Sequence, residues 1–307
     1  MEKDLQKKFH EKTPEVSVNN IIEMSPEKYY VKTTEIIGMG SYKKVYKGIK
    51  QNNLSEVAWC TIDITKIKKR DKQRVVDEVN LLKKFFEFED LTKDEELKVK
   101  LSKFFHPRIV KFFGSWYNKE KKEIVIINEF IDGGSLSNYI KMNISILNID
   151  HIIRWSNQIL EGLLFLHSNN IIHRDLKLDN ILIDRRTSNI YLTDFGLSIY
   201  ADTSIESVGT IVYMAPEIFQ EKMYNNSIDI YAFGICLLEM ITNEESYSEC
   251  KTISQIISNK SNNIFPLSIK NVKDPDLSRI IIRTLSSKPE ERPTVYQLYT
   301  FFTNKLL

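Results

Sequence analysis

His173-Arg174-Asp175-Leu176-Lys177-Leu178-Asp179-Asn180 packs acidic, basic and amide side chains into one short run, and Asp194-Phe195-Gly196 and then Ala215-Pro216-Glu217 follow it along the chain. Just upstream, Trp155, Ile159, Leu163 and Leu166 recur at helical spacing and predict an amphipathic helix. Just downstream, Ile181 to Ile183 and Ile190 to Leu192 read as two short strands. The polar run thus lies between a helix and short strands. Strong helical periodicity returns over 226–242, 274–286 and 294–305, so the chain after Gly133-Gly134 reads as mostly helical.

Before that point the pattern is different. Short β-rich runs at 31–37, 44–50 and 55–62 are separated by polar turns such as Gln51-Asn52-Asn53. Val75, Val76, Val79, Leu82 and Phe86 predict one main helix, and Thr92-Lys93-Asp94-Glu95 reads as a capping box before a second helical stretch through Leu97, Leu101, Phe104 and Phe105. Two further strands fit Ile109 to Phe113 and Glu123 to Asn128. Residues 1–29 are polar and aperiodic, with Pro14 and Pro26, and read as a flexible tail.

Composition excludes several classes. The 307 residues are 42% hydrophobic and 27% charged, as in an ordinary globular protein able to bury a full core. With 43 basic against 41 acidic residues, the net charge of +2 gives no general attraction to nucleic acid or to a membrane surface. Cys60, Cys236 and Cys250 are too scattered for a disulfide framework or a zinc site. The charged N-terminus carries no signal-like apolar stretch, and the longest apolar run, Ile230 to Leu238, is too short to span a bilayer. A cytoplasmic location without membrane insertion is the expectation. Function must come from a site.

In order and spacing, the three opening motifs resemble the catalytic loop, magnesium loop and activation-segment end of protein kinases. The resemblance implies a bilobal α+β fold: a β-rich N-lobe over 30–131 with one main helix and an insertion at about 87–105, and a mostly helical C-lobe over 132–307. It also implies ATP and Mg²⁺. Phosphoryl transfer depends on positioning and charge neutralisation, which calls for carboxylates around Mg²⁺ and donors around phosphate oxygens. Asp194 and Asn180 would hold Mg²⁺, Asp175 would accept or orient the attacking hydroxyl, and Lys177 would neutralise charge on the phosphoryl group. Lys177 resembles the serine/threonine class, and Thr210 the threonine that contacts the Asp-Lys pair. His173 is read as packed scaffold, Arg174 as a receptor for an activation-segment phosphate, Glu217 and Arg292 as a buried ion pair, and Asp229 as a helix-capping aspartate.

Upstream, Gly38-Met39-Gly40-Ser41-Tyr42-Lys43-Lys44-Val45 has lysine at the third position of a kinase glycine pattern, and Val57-Ala58-Trp59-Cys60 has cysteine where kinases carry the phosphate-binding strand lysine. Cys60 reads either as lost activity or as a relocated charge. Strand side chains alternate, so Lys43 and Val45 share one face, as do Ala58 and Cys60, and neighbouring strands lie only about 4.8 Å apart. A lysine at 43 can therefore fill the space that Cys60 leaves, with Glu78 in the position of the partner carboxylate on the main helix. Together with Ser115-Trp116 and Asp229-Ile230-Tyr231-Ala232-Phe233-Gly234, this arrangement resembles the WNK ("with no lysine") kinases from about Tyr30 to Leu307.

That resemblance puts Gly38, Met39, Gly40, Lys43, Val45, Ala58, Cys60, Glu78, Asn128, Glu129, Ile131, Asn180 and Asp194 around the nucleotide, and makes Asp175, Lys177 and Lys43 the catalytic set. Thr203, Ser204 and Ser207 are the phosphorylation candidates in the activation segment. Germinal-centre-type kinases are implied as protein substrates, in osmotic or ion-stress signalling. The family also uses chloride as a regulator, in a pocket lined by groups matching Phe112, Ile126 and Leu197; Phe195 replaces a leucine there with a larger ring, which argues against chloride sensing. The rival reading is a pseudokinase scaffold that binds nucleotide without chemistry.

Overall fold

The computed structural model describes residues 21–40, 43–67, 106–194, 208–220 and 224–307. The N-terminal lobe is a six-stranded antiparallel sheet formed by β1 (Ile21–Met24), β2 (Tyr30–Met39), β3 (Lys43–Lys50), β4 (Glu56–Asp63), β5 (Phe112–Asn118) and β6 (Glu123–Glu129), in the order β1-β2-β3-β4-β6-β5. Alternation along β4 sorts its side chains. Val57 and Trp59 enter an outer cluster with Tyr30, Val125 and Ile127, where Trp59 meets Trp116 edge-on at 5.0 Å. Cys60 and Ile62 belong instead to the continuous core that runs on into the C-terminal lobe.

Two expectations need correction here. The tail read over 1–29 is too long, because Ile21–Met24 pairs with β2. A carboxylate at its third position helps to hold this strand. Glu23 sits opposite Lys32 and accepts from its Nζ at 3.4 Å, from Lys121 Nζ at 2.6 Å and from Asn118 Nδ2 at 3.0 Å. It thereby ties the first strand of the sheet to the turn after the last and curls the sheet towards closure. Burial pushes the Glu23 carboxyl up, but these partners outweigh it and hold the group below its usual range.

The strand expected over Ile109 to Phe113 is also displaced. Ile109 and Val110 are buried against the C-terminal lobe, where Arg108 O and the Val110 amide bracket Leu192, and β5 starts only at Phe112. The strand then continues to Asn118 because Trp116 has Trp59 to pack on. The predicted main helix, the second helical stretch and the insertion at 87–105 lie outside the described residues.

The C-terminal lobe comprises α1 (Leu136–Asn143), α2 (Ile149–Ser168), the hairpin β7 (Ile181–Ile183) and β8 (Ile190–Leu192), α3 (Val208–Tyr213), α4 (Ser227–Thr242), α5 (Ile253–Ser261), α6 (Pro275–Thr284) and α7 (Val295–Leu306). Helix α4 is buried along most of its length and forms the axis of the lobe. Gly234 explains how α6 comes so close to it, since a Cβ there would meet Thr284 Oγ1 at 2.2 Å. No described helix is long and apolar enough to cross a membrane.

Candidate active site

The polar run that follows α2 folds onto α4. Asp229, in the first turn of α4, accepts from the backbone amides of His173 at 2.8 Å and Arg174 at 2.9 Å and pairs with His167 Nε2 at 2.8 Å. Its carboxylate is therefore committed to the loop, where the kinase resemblance implied a helix-capping aspartate. These bonds hold Arg174 at φ 68°, a left-handed conformation that costs a non-glycine residue roughly 1–2 kcal/mol. His173 is completely buried, and burial pushes its imidazole below the ordinary value. It is scaffold, as read from the sequence.

With the turn fixed, the next side chains converge. Lys177 Nζ lies 2.9 Å from Asp175 Oδ2, and Asn180 Nδ2 donates to the same oxygen at 2.7 Å and to the Asp175 carbonyl at 2.8 Å. The amide nitrogen of Asn180 is thus consumed, and its oxygen is the atom left for a cation. The Thr193 amide donates to Asn180 O at 3.0 Å and brings Asp194, itself at φ 62°, beside the loop. A carboxylate and an amide oxygen fit a hard divalent cation such as Mg²⁺.

From the other lobe, Lys43 Nζ reaches Asp194 Oδ1 at 2.5 Å. Burial pushes Asp194 up, but the Lys43 ammonium prevails and holds the carboxyl below its usual value. The register explains how Lys43 gets there: Val45 lies directly opposite Cys60 and Lys47 opposite Ala58, so Lys43, two residues along from Val45, faces the same side. Cys60 cannot substitute for a cation. Burial raises its thiol to about 11, so it stays protonated at neutral pH. Cys60→Ala is accordingly expected to leave steady-state turnover within about twofold of wild type, measured under saturating nucleotide.

The remaining nucleotide-site candidates line the same face and rim. Asn128 lies opposite both Ala58 and Phe112. Glu129 follows it and leads to the buried Ile131. Gly38 and the exposed Met39 end β2 opposite Val45 and Lys44, and the amide of Gly40, just beyond, donates to Lys43 O at 2.7 Å. A Cβ at Gly38 or Gly40 would make only ordinary contacts with the protein, so packing does not account for either glycine.

Glu217 and Arg292 form a buried bidentate pair at 2.6 and 2.7 Å, as expected from the sequence. Glu78, Phe195, Leu197, Thr203, Ser204 and Ser207 lie outside the described residues, as does the side chain of Thr210. Sequence reading missed His167, 62 residues from Asp229, and Lys260, a fully buried lysine whose place near the end of a short helix looks like that of any solvated one.

The family profile for the protein kinase domain matches residues 31–301. The chain belongs to the protein kinase family. This kinase domain is 36% identical to serine/threonine-protein kinase WNK3 of Mus musculus over 306 residues, which covers 96% of the chain and 16% of that relative. It is 34% identical to serine/threonine-protein kinase WNK4 of Homo sapiens, over 97% of the chain and 23% of the relative. With serine/threonine-protein kinase WNK of Caenorhabditis elegans it shares 36% identity over 92% of the chain and 15% of the relative. The chain thus spans less than a quarter of the length of these relatives. The resemblance to WNK kinases and the bilobal α+β fold read from the sequence are both borne out.

Proposed function

We propose that this kinase domain transfers the γ-phosphoryl group of ATP to serine or threonine hydroxyls of proteins, with Lys43 in place of the absent strand lysine. The observation that carries the reading is the contact of Lys43 Nζ with Asp194, from the strand position facing the space beside Cys60. Gly38 and Gly40 admit the phosphates to the backbone, and Lys43 binds and orients them. Asn180 and Asp194 would hold Mg²⁺, which neutralises phosphate charge when bound. Asp175 orients the attacking hydroxyl and takes up its proton. Lys177, beside that carboxylate, offsets charge on the transferring group. The three cysteines are free thiols, which fits the reducing cytoplasm. The WNK resemblance points further, to germinal-centre-type kinases as protein substrates and to osmotic or ion-stress signalling.

The test is transfer of label from γ-labelled ATP and Mg²⁺ to peptides with serine, threonine or tyrosine as the acceptor. Label on serine or threonine and not on tyrosine is the expected result. Bound ATP with no transfer to any acceptor would overturn it in favour of a second reading, a nucleotide-binding scaffold, for which Cys60 in the lysine position is the specific support.

A further inference from the structure

Directly opposed residues of an antiparallel ladder share a face, so Lys47, Ala58, Asn128 and Phe112 stand side by side across β3, β4, β6 and β5. Lys43 is on that same face, four residues along β3 from Lys47, which is about 13 Å. An extended nucleoside triphosphate that gives its phosphates to Lys43 therefore brings its base to the row of Ala58 and Asn128. Around Asn128 this face is apolar or uncharged, with Val45, Cys60 and Ile126 in the next row. Ala58 and Phe112 offer it no polar side-chain atom, and the Lys47 ammonium is taken by Glu56 at 2.6 Å. Asn128 is half-buried, and among the described residues its side-chain amide makes no hydrogen bond. Its two donors and its acceptor oxygen are left to whatever enters the cleft.

An amide in an apolar wall selects a ligand edge that can satisfy both of its ends, since an unmatched polar group there is costly. Adenine has such an edge. Its N6 amino group donates and its N7 accepts, so one asparagine can receive from N6 through Oδ1 and give to N7 through Nδ2. Guanine carries O6 in place of the amino group, which makes both positions acceptors and sets the amide oxygen against another oxygen. The chain leaves the sheet just after Asn128, through Glu129 to the buried Ile131. A base laid against that linker turns its adjoining edge to Asn128.

We propose that Asn128 is a specificity-determining residue, whose amide reads the N6–N7 edge of adenine and disfavours guanine. The inference rests on the nucleotide site of the kinase reading and adds to it the choice of base. It is a statement about binding, so it can be tested apart from phosphoryl transfer.

The experiment measures the affinities of ATP, GTP and 7-deaza-ATP, in which a C–H group replaces N7, by calorimetric titration in the presence of Mg²⁺. It compares the wild-type chain with Asn128→Leu, which removes both polar ends at similar volume, and Asn128→Asp, which keeps an acceptor and loses the donor. The wild type is expected to bind ATP about fivefold more tightly than 7-deaza-ATP, and Asn128→Leu to bind the two equally. The preference for ATP over GTP is expected to fall about tenfold in Asn128→Leu. A wild type indifferent to N7, or a leucine variant that weakens all three nucleotides alike, would overturn the proposal, the second because a merely structural role predicts it. If the leucine variant does not fold, Asn128→Asp decides: loss or reversal of the preference for ATP over 7-deaza-ATP supports the role, and a wild-type preference overturns it. A wild type that shows the expected preferences but transfers no phosphoryl group overturns the kinase reading and supports this inference. An active wild type without those preferences overturns this inference alone, and one that binds no nucleotide overturns both.

Discussion

Lys43→Met is expected to lower kcat/KM for MgATP by about 10²–10³-fold, and Asp194→Asn by about 10³-fold or more, in a steady-state phosphorylation assay. The two residues form the contact that joins the lobes at the site, but their losses have different causes. Lys43→Met removes the cation proposed to bind the phosphates, and leaves the Asp194 carboxylate without its ion-pair partner. Asp194→Asn removes the charged oxygen donor itself, which the neutral amide oxygen of Asn180 cannot replace. A second-site variant separates a relocated charge from a general need for lysine at 43. Because Val45 faces Cys60 across the ladder, a lysine introduced at 60 enters the same space from the adjacent strand. Lys43→Met combined with Cys60→Lys is expected to recover about tenfold of the lost activity. Recovery of none, with the fold intact by circular dichroism, would mean that position 43 acts through something other than its charge.

Arg292→Met is expected to cost about 3–5 kcal/mol of stability in urea unfolding, because it strands a buried carboxylate. Glu217 receives both of its short bonds from this guanidinium, which also donates to Ser286 O at 2.9 Å and Ser227 O at 3.0 Å and lies 5.2 Å from the Tyr231 ring. One side chain thus ties the end of the activation segment to the start of α4 and to the turn before α7. The double variant Glu217→Gln with Arg292→Met is expected to be more stable than Arg292→Met alone, since the orphaned charge is gone. A double variant no better than the single one would move the cost to the two carbonyls and the ring.

Much of the site was legible because its chemistry is local in sequence. Asp175, Lys177 and Asn180 lie in one short run, so the motif that resembles the kinase catalytic loop already groups them. The placement of Lys43 followed from strand parity, a rule that survives any error in where a strand begins. What was not legible depends on partners far along the chain. Ile109 and Val110 have the composition of a strand, yet Leu192 claims their backbone and postpones β5 to Phe112. The kinase resemblance marks Asp229 as a helix cap, and only the fold shows that the amides it serves are those of His173 and Arg174. Lys260 carries no signal at all in the sequence: nothing about a lysine on a short polar helix announces three carbonyls from residues 211, 212 and 214.

The ring of partners around Glu23 bears on where the folding unit begins. The protein kinase profile starts at Val31, inside β2, and leaves out the strand that covers its edge. A chain cut there would keep Lys32 as a buried cation without its carboxylate and expose a row of unpaired backbone groups to neighbouring molecules. The folding unit therefore takes in β1, ahead of where that profile begins, because one acidic side chain holds this strand and curls the open sheet towards closure.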